Sequence, residues 1–381
     1  MDKRILYIIP SLTTGGAEHQ TINQLNHLHA SGIDVHLIVL SDQVPLINQL
    51  DLDSSRVHIL GIPGLVKVLL STISSVPMGV FHLRKLIIKL SPSIVLAILP
   101  LSHLLARLVA PLTPAHKLWI YHRSMQYEAN PLNTPYKKMF HELVVKLSKK
   151  YDYGHIYISE AVKQNIQSLL PTDRNVVLHN AVPYSDTGQQ FAVNDLARRN
   201  INSWDYLVVV PGRIHSSKGQ VFFLRAVQEV LRAQNQTVMV LFVGGGPDES
   251  KLRAIVEDNG LTETVVVTGM VQNDLLLSYL KLSDLTVIPS VNEGFGNVAI
   301  EGLMQGATML SSDAGGLKEI INDGLNGFLF RRLDKDHLRE KLQSIINNKL
   351  KIPPAKLHSE YLEKFTTKAQ VDRLLKILFA S

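Results

Sequence analysis

Residues 285–305 change hydrophobic period abruptly, and few folds accept such a change. Leu285-Thr286-Val287-Ile288 is a short apolar, β-branched run that reads as a buried strand, Ser290 to Gly296 (SVNEGFG) is a glycine turn, and Asn297 to Gln305 reads as a helix. The glycines at 294 and 296 let the backbone come close to a ligand, and the first N–H groups of a helix lack partners within it, so this junction attracts phosphate. Two carboxylates bracket it. Glu293 lies in the turn and Glu301 about one turn into the helix, so both can border one cleft without sharing a helical stripe. Carboxylates accept hydrogen bonds from vicinal hydroxyls, and the residues alone therefore describe a phosphate flanked by two hydroxylated groups, as in a nucleotide sugar.

The chain opens on the same pattern. Residues 5–9 read as a strand, 10–16 as a turn and 17–31 as a helix with Ile22, Leu25 and Leu28 on its apolar stripe; Gly32 stops it and 35–40 is the next strand. This βαβ unit places Gly15 and Gly16 at the carboxyl end of the first strand, where open α/β sheets bind ligands. Residues 94–112 read as a buried strand and a packed helix, because His103, Arg107, Pro100 and Pro111 argue against a membrane span. Residues 79–90 form a basic amphipathic helix with His82, Lys85 and Lys89 along one face and Phe81, Leu86 and Ile88 elsewhere. A strand at 118–121 ends in His122-Arg123, residues 136–150 read as a helix, and 155–158 as a strand leading into Ser159, a candidate N-cap.

Residues 183–203 are polar with little periodicity and mark a domain junction. A length of 381 residues suits two domains, and the boundaries read as 1–185, 204–365 and a C-terminal helical segment 366–381. The strand pattern restarts at 206–210, runs into Pro211-Gly212-Arg213-Ile214-His215-Ser216-Ser217-Lys218-Gly219, and continues as a helix from Gln220. An Arg and a Lys spaced this way across a strand–helix turn can grip a diphosphate from two sides, Arg213 by its fork and Lys218 as a point charge. The strand at 238–243 meets Gly244-Gly245-Gly246, but Glu249 stands where a dinucleotide fingerprint needs its third glycine.

These elements, in this order, resemble the retaining glycosyltransferases of family four (glycosyl transferases group 1). The resemblance rests on Glu293 and Glu301 as the Glu-x7-Glu signature, the Gly212-Arg213 to Lys218-Gly219 element, GGAE at 15–18, the Ser159-Glu160 helix start, 176–182 as the strand that closes the first domain, and Gly315-Gly316 with Gly324 to Phe328. It implies an α/β GT-B fold: two Rossmann-like domains with parallel sheets facing across a cleft, the last helix crossing back to the first domain. By position it assigns Glu293 to the donor sugar, Gly294, Phe295, Gly296 and Asn297 to the phosphates through their amides, Glu301 to the ribose, and Gly15 and Gly16 to the donor phosphates. Either His122 or Arg123 faces the donor sugar. Arg213 and Lys218 neutralise the leaving diphosphate, which itself takes the acceptor proton, so no side-chain base, metal or cofactor is required. Rivals to a transferase are a GT-B nucleotide-sugar 2-epimerase and a catalytically inactive membrane-bound scaffold.

Charge bears on partners. The net charge is +6, and the excess falls in the first half, where residues 54–150 hold thirteen basic side chains against only Glu128 and Glu142. Lys67, Arg84, Arg107, Lys137, Lys138, Lys149 and Lys150 join the 79–90 helix in this region, and the asymmetry points to an anionic membrane surface, not to nucleic acid. A basic, apolar first domain suits a lipid-linked glycan lengthened at the cytoplasmic membrane face in cell-surface polysaccharide synthesis. The absence of cysteine excludes disulfides and cysteine-ligated metal. Asp51-Leu52-Asp53 and Asp334-Lys335-Asp336 read as solvated charge.

Overall fold

The computed structural model describes residues 4–13, 15–62, 69–114, 116–124, 143, 145–146, 149–167 and 173–379, with the side chains of 69–75 outside that description. Lys67, Lys137, Lys138 and most of the helix expected at 136–150 lie outside the described residues. The chain divides into two compact units, Met1–Ala181 with Thr367–Ser381, and Val182–Thr366.

The first unit is built from β1 (Ile5–Ile9), α1 (Gly16–Ala30), β2 (Val35–Val39), β3 (Val57–Ile59), α2 (Leu69–Leu90), β4 (Ile94–Ile98), α3 (Pro100–Val109), β5 (Lys117–His122), β6 (Gly154–Tyr157), α4 (Glu160–Gln167) and β7 (Asn175–Val177). The strands form one sheet in the order β3-β2-β1-β4-β5-β6-β7, every pair parallel. All positions of β1, β2 and β4 are buried, which is why they read as continuous apolar runs and not as alternation. Leu6, Ile8, Ile38, Val95, Ala97, Leu118 and Ile120 share a core with Leu83 and Ile87 of α2 and Leu105 and Val109 of α3. On the sheet's other face, Tyr7 donates a hydrogen bond to Gln24 of α1. The order reverses between β1 and β4, so their carboxyl ends, next to Gly15 and Leu99, form the switch point where such sheets bind ligands.

The structure corrects three readings here. α2 begins at Leu69 and runs through Pro77, because the buried stripe that continues through Leu83 and Ile87 outweighs the local cost of proline. Phe81 and Ile88 are not turned away from the basic face; with Met78 they are exposed to 63%, 42% and 42%, beside exposed His82, Arg84, Lys85 and Lys89. β7 ends at Val177, short of the expected Val182, because the side-chain amide of Gln20 takes over the pairing, donating to the Ala181 carbonyl and accepting from its N–H. Ser159 does cap α4, its Oγ accepting from Val162 N at 3.0 Å. No helix among the described residues is long and apolar enough to cross a membrane.

The second unit comprises α5 (Gln190–Arg198), β8 (Tyr206–Pro211), α6 (Gln220–Arg232), β9 (Val238–Val243), α7 (Glu249–Asp258), β10 (Val265–Gly269), α8 (Asn273–Leu282), β11 (Leu285–Ile288), α9 (Asn297–Gln305), β12 (Met309–Ser312), α10 (Leu317–Ile320), β13 (Phe328–Phe330), α11 (Lys335–Asn347) and α12 (Pro354–Lys364). Its parallel sheet runs β10-β9-β8-β11-β12-β13, with a core that includes Val208, Val210, Phe223, Phe242, Leu285, Leu310 and Leu342. Part of the aperiodic segment 183–203 is helical: α5 packs on α8, where Ser278 Oγ accepts from Ala192 N at 2.9 Å and donates to the Gly188 carbonyl at 2.7 Å. The last helix, α13 (Thr367–Phe379), belongs to the first unit, where Gln370 accepts from Gln24 at 2.9 Å and donates to the His179 carbonyl at 2.7 Å.

Asp334, read as solvated, is the N-cap of α11: its carboxylate accepts from His337 N at 2.9 Å and from Arg331 at 2.9 Å. Asp334→Ala should lower the urea midpoint measurably, and Asp334→Asn should lower it much less. Equal midpoints for the Ala variant and the parent would remove the cap from the account.

Candidate functional site

In the second unit the site is assembled from the carboxyl ends of β8, β11 and β12. After β8, a short 3-10 turn at Ser216–Lys218 is capped by His215, whose Nδ1 accepts from Ser217 N at 3.1 Å. Sequence reading had no role for His215, and this is one. Gly219 then takes φ +72°, and a Cβ there would stand 2.0 Å from the Pro289 carbonyl oxygen. Only glycine allows the two turns to lie this close. Val291 N and Asn292 N complete the lock by donating to the Ser217 carbonyl at 2.8 and 3.0 Å.

That lock brings Lys218 to Glu293. Lys218 Nζ lies 2.7 Å from Glu293 Oε2, which also accepts from Ser290 Oγ at 3.0 Å. The Glu293 backbone is held from the other side by the loop after β12: a Cβ on Gly315 would stand 1.8 Å from the Glu293 carbonyl oxygen, and Gly316 N donates to it at 3.2 Å. Arg213, in the same β8 loop, is exposed and forms no ion pair among the described residues. Gly294 and Gly296 lie in the turn, Gly296 opens α9 without a side-chain cap, and α9 begins at Asn297. Phe295 is buried against Phe365, so its ring packs the core and only its backbone borders the turn.

Glu301 lies one turn into α9. Its carboxyl is buried, Oε2 has no hydrogen-bond partner among the described residues, and burial alone pushes its pKa up to about 7. Such a group favours the folded state in its neutral form. Folding stability therefore falls as pH rises from the unfolded value of 4.5 to about 7, and the full cost is present above that. Glu301→Gln should raise stability at pH 8 by up to about 3 kcal/mol and leave it unchanged at pH 4, read from thermal unfolding at both pH values. Parallel pH profiles for the two proteins would refute the assignment of a buried, charge-averse carboxyl.

In the first unit, Gly15 is the N-cap of α1 in extended conformation, followed by Gly16. Glu18 folds back over this start: Thr13 Oγ1 donates to it at 2.9 Å, and a Cβ on Gly15 would meet its Oε2 at 2.3 Å. Arg123 is 7% exposed; Nη2 donates to Gln24 at 2.7 Å, the guanidinium lies 4.2 Å over the Tyr121 ring, and Nε and Nη1 have no hydrogen-bond partner among the described residues. His122 is 1% exposed, with Nε2 at 2.9 Å from His155 Nδ1, stacked on Tyr157 and met edge-on by His103. The sequence reading missed what lies behind it. His155 Nε2 is 3.1 Å from Asp152 Oδ2, and Arg107 grips the same carboxylate with Nε at 2.9 and 3.1 Å and Nη2 at 2.7 Å, all fully buried. Burial would raise the Asp152 pKa, but the hydrogen bonds from His155 and Arg107 prevail and hold it below its ordinary value. Leu99, at the carboxyl end of β4, takes φ +70°, ψ 155°, a region that essentially only glycine occupies. Among the described residues no group of three or more His, Cys, Asp or Glu could hold a metal ion.

Comparison with known proteins adds the following. Residues 14–186 match the family described as Glycosyltransferase Family 4, and residues 194–370 match Glycosyl transferases group 1. Over 178 residues the chain is 31% identical to an uncharacterized glycosyltransferase of Methanocaldococcus jannaschii, covering 45% of each chain. It is 28% identical over 163 residues to an alpha-D-kanosaminyltransferase of Streptomyces kanamyceticus, covering 39% of this chain and 41% of that one. The chain thus spans less than half the length of these curated relatives. Among solved structures, Anabaena HepE in complex with UDP and glucose superposes with a TM-score of 0.75 over 99% of both chains at 16% identity, a likeness of GT-B fold.

Proposed function

Because the chain belongs to the group 1, family 4 glycosyltransferases, we propose that it moves a sugar from a nucleotide-sugar donor to a glycan or lipid-linked glycan, with retained configuration and without a metal or cofactor. The observation that carries this reading is the second unit's constellation: Lys218 paired to Glu293 in two interlocked turns, Arg213 in the same loop, and the unpartnered Glu301 carboxyl on the helix that follows. A buried carboxyl oxygen lacking a partner suits a ribose diol, whose hydroxyls donate to it. Glu293, already an acceptor for two groups, has a second oxygen to offer a sugar hydroxyl. The positive end of α9 and the amides of residues 294–297 suit the diphosphate.

In the reaction so assigned, the bond from the anomeric carbon to the leaving phosphate oxygen breaks as the acceptor oxygen bonds to the same face. The acceptor proton passes to the departing phosphate. Charge grows on the diphosphate, and Arg213 and Lys218 offset it. A UDP-sugar is the donor we favour, since the HepE neighbour was solved with UDP and glucose. Arg213→Ala and Lys218→Ala should each lower kcat roughly 100-fold or more, measured as UDP release from a UDP-sugar in the presence of acceptor. Near-parent turnover in either variant would contradict the assignment. Thermal shifts with UDP-, GDP-, TDP- and ADP-sugars identify the nucleotide, a ligand at 100 times its Kd adding about 2.7 kcal/mol.

The exposed face of α2 supports a peripheral place on the cytoplasmic side of a membrane. It sets Phe81, Met78 and Ile88 among His82, Arg84, Lys85 and Lys89, an apolar wedge ringed by cations, as an interfacial helix requires. Sedimentation with vesicles should rise with anionic lipid and fall with salt, each basic group contributing about 1 kcal/mol. Binding indifferent to both would end this part of the proposal, and with it the case for a lipid-linked acceptor.

A further inference from the structure

The second unit carries a hollow of about 300 Å³ at the C-terminal end of α9, a volume at the lower end of the range in which proteins hold small ligands. α9 runs from Asn297, beside the Glu293 turn, to Gln305, beside the hollow, so about 12 Å of helix axis separates the two. Met304 is buried beneath it, and Gly306 turns the chain there with φ +70°, so close to α12 that a Cβ would stand 2.7 Å from Pro354 Cβ. Tyr184 forms a wall that is 56% exposed and yet held in place: His358 meets its ring edge-on at 5.6 Å between centroids, and Tyr361 lies tilted at 6.3 Å. The segment that carries Tyr184 is fastened to the end of α9, since Gln305 Nε2 donates to the Ser185 carbonyl at 2.7 Å and Ser185 N to Met304 Sδ at 3.4 Å. The hollow is therefore formed before any ligand arrives.

Three properties of the lining select the ligand. Its charges cancel, because Lys281 at the end of α8 pairs with Asp186 at 2.5 Å, and a free ion gains little there. Its polar groups are of both kinds: the Tyr184 hydroxyl and Lys281 donate, Asp186 accepts, and the neutral His358 ring, whose Nδ1–H donates to the Met304 carbonyl at 2.9 Å, keeps a lone pair on Nε2. Its exposed apolar surface is flat, made of the Tyr184 ring with Pro354 and Ala355. A pyranose matches all three, being uncharged, carrying hydroxyls that donate and accept, and presenting a face of C–H groups to an aromatic ring. We propose that this hollow is a saccharide-binding site apart from the donor site, holding one or two neutral pyranose residues against Tyr184 with their hydroxyls on Asp186, Lys281 and His358. Pro354 and Ala355 are exposed, so a longer glycan can run on past the residues bound. None of the four polar side chains lies in the turns after β8, β11 and β12, and the site does not rest on the reading of those turns as a donor site.

The test uses the full chain with isotope-labelled methionine methyl groups, the Met304 signal being assigned with Met304→Leu. Maltose, cellobiose, lactose and chitobiose are titrated in turn, with no nucleotide present. At least one of these sugars should shift the Met304 methyl signal saturably and receive saturation transfer from the protein. Tyr184→Ala should weaken that binding roughly 10-fold, while Tyr184→Trp, which restores a flat ring, should keep it. Lys218→Ala, in the turn after β8, should leave it unchanged. Asp186→Ala alters an exposed side chain and should also weaken binding, so it decides the matter if Tyr184→Ala does not fold. No saturable shift with any of the sugars overturns the proposal. So does binding that survives both Tyr184→Ala and Asp186→Ala, or that vanishes in Lys218→Ala, which would return the saccharide to the donor site. A Met304 shift produced by uridine and by none of the sugars overturns it as well, marking a nucleoside site instead. Because no nucleotide sugar enters the sugar titrations, their outcome is separate from that of the turnover assay.

Discussion

Val291 and Asn292 both donate to the single carbonyl of Ser217, and Gly219 lies against Pro289 with no room for a side chain. Through these contacts the turn after β8 and the turn after β11 become one rigid piece, and the remaining features of the second unit's site depend on it. Lys218 and Glu293 are 75 residues apart in the chain, yet their 2.7 Å contact requires no long-range search by flexible side chains, because the backbones that carry them are already fastened. The loop after β12 closes the same piece from behind, with Gly316 N on the Glu293 carbonyl. A group that must change partners when a ligand arrives benefits from such a base: the side chains exchange contacts while the backbone keeps its place.

The two units handle buried carboxylates in opposite ways. Asp152 is surrounded by donors, two from Arg107 and one from His155, and stays charged at full burial. Glu301 has no such company at Oε2 and is driven toward neutrality. The first arrangement is complete within the protein and suits a fixed support. The second is incomplete, and a ligand with hydroxyl donors would complete it. Both cost solvation, but only one recovers it without a partner molecule.

Much of the second unit was legible. The strand–turn–helix at 285–305 has the bounds its pattern implied, because a fully buried parallel strand and a helix of different period leave distinct marks on either side of a glycine turn. α13 was legible from its apolar stripe, with Val371, Leu374 and Leu378 buried. What could not be read depends on neighbours distant in sequence. α2 passes through Pro77, where the local rule predicts a break, because its stripe is buried against strands the proline does not touch. α12 starts on Pro354 and α5 lies in a polar stretch, and both draw their stability from packing more than from pattern. Arg107 served in the sequence as an argument against a membrane span and as one of the basic groups assigned to a membrane surface; it is instead buried on Asp152, 45 residues away, and the chain to His122 exists only once β5 and β6 pair side by side. Phe295 was assigned to the phosphates through its backbone amide alone, and its ring packs in the core against Phe365.

The first unit is not finished until its last helix arrives. α13 supplies Gln370, which engages Gln24 and the His179 carbonyl, and buries Val371, Leu374 and Leu378. During synthesis, residues 182–366 can emerge as a complete body while the segment made first keeps the face around Gln24 uncovered until residues 367–379 follow. The first unit is thus completed after the second, although its strands are made first. A nascent chain whose residues 182–366 have emerged and whose α13 has not would leave that face of the first unit bare, and that interval is when a chaperone would find most to hold.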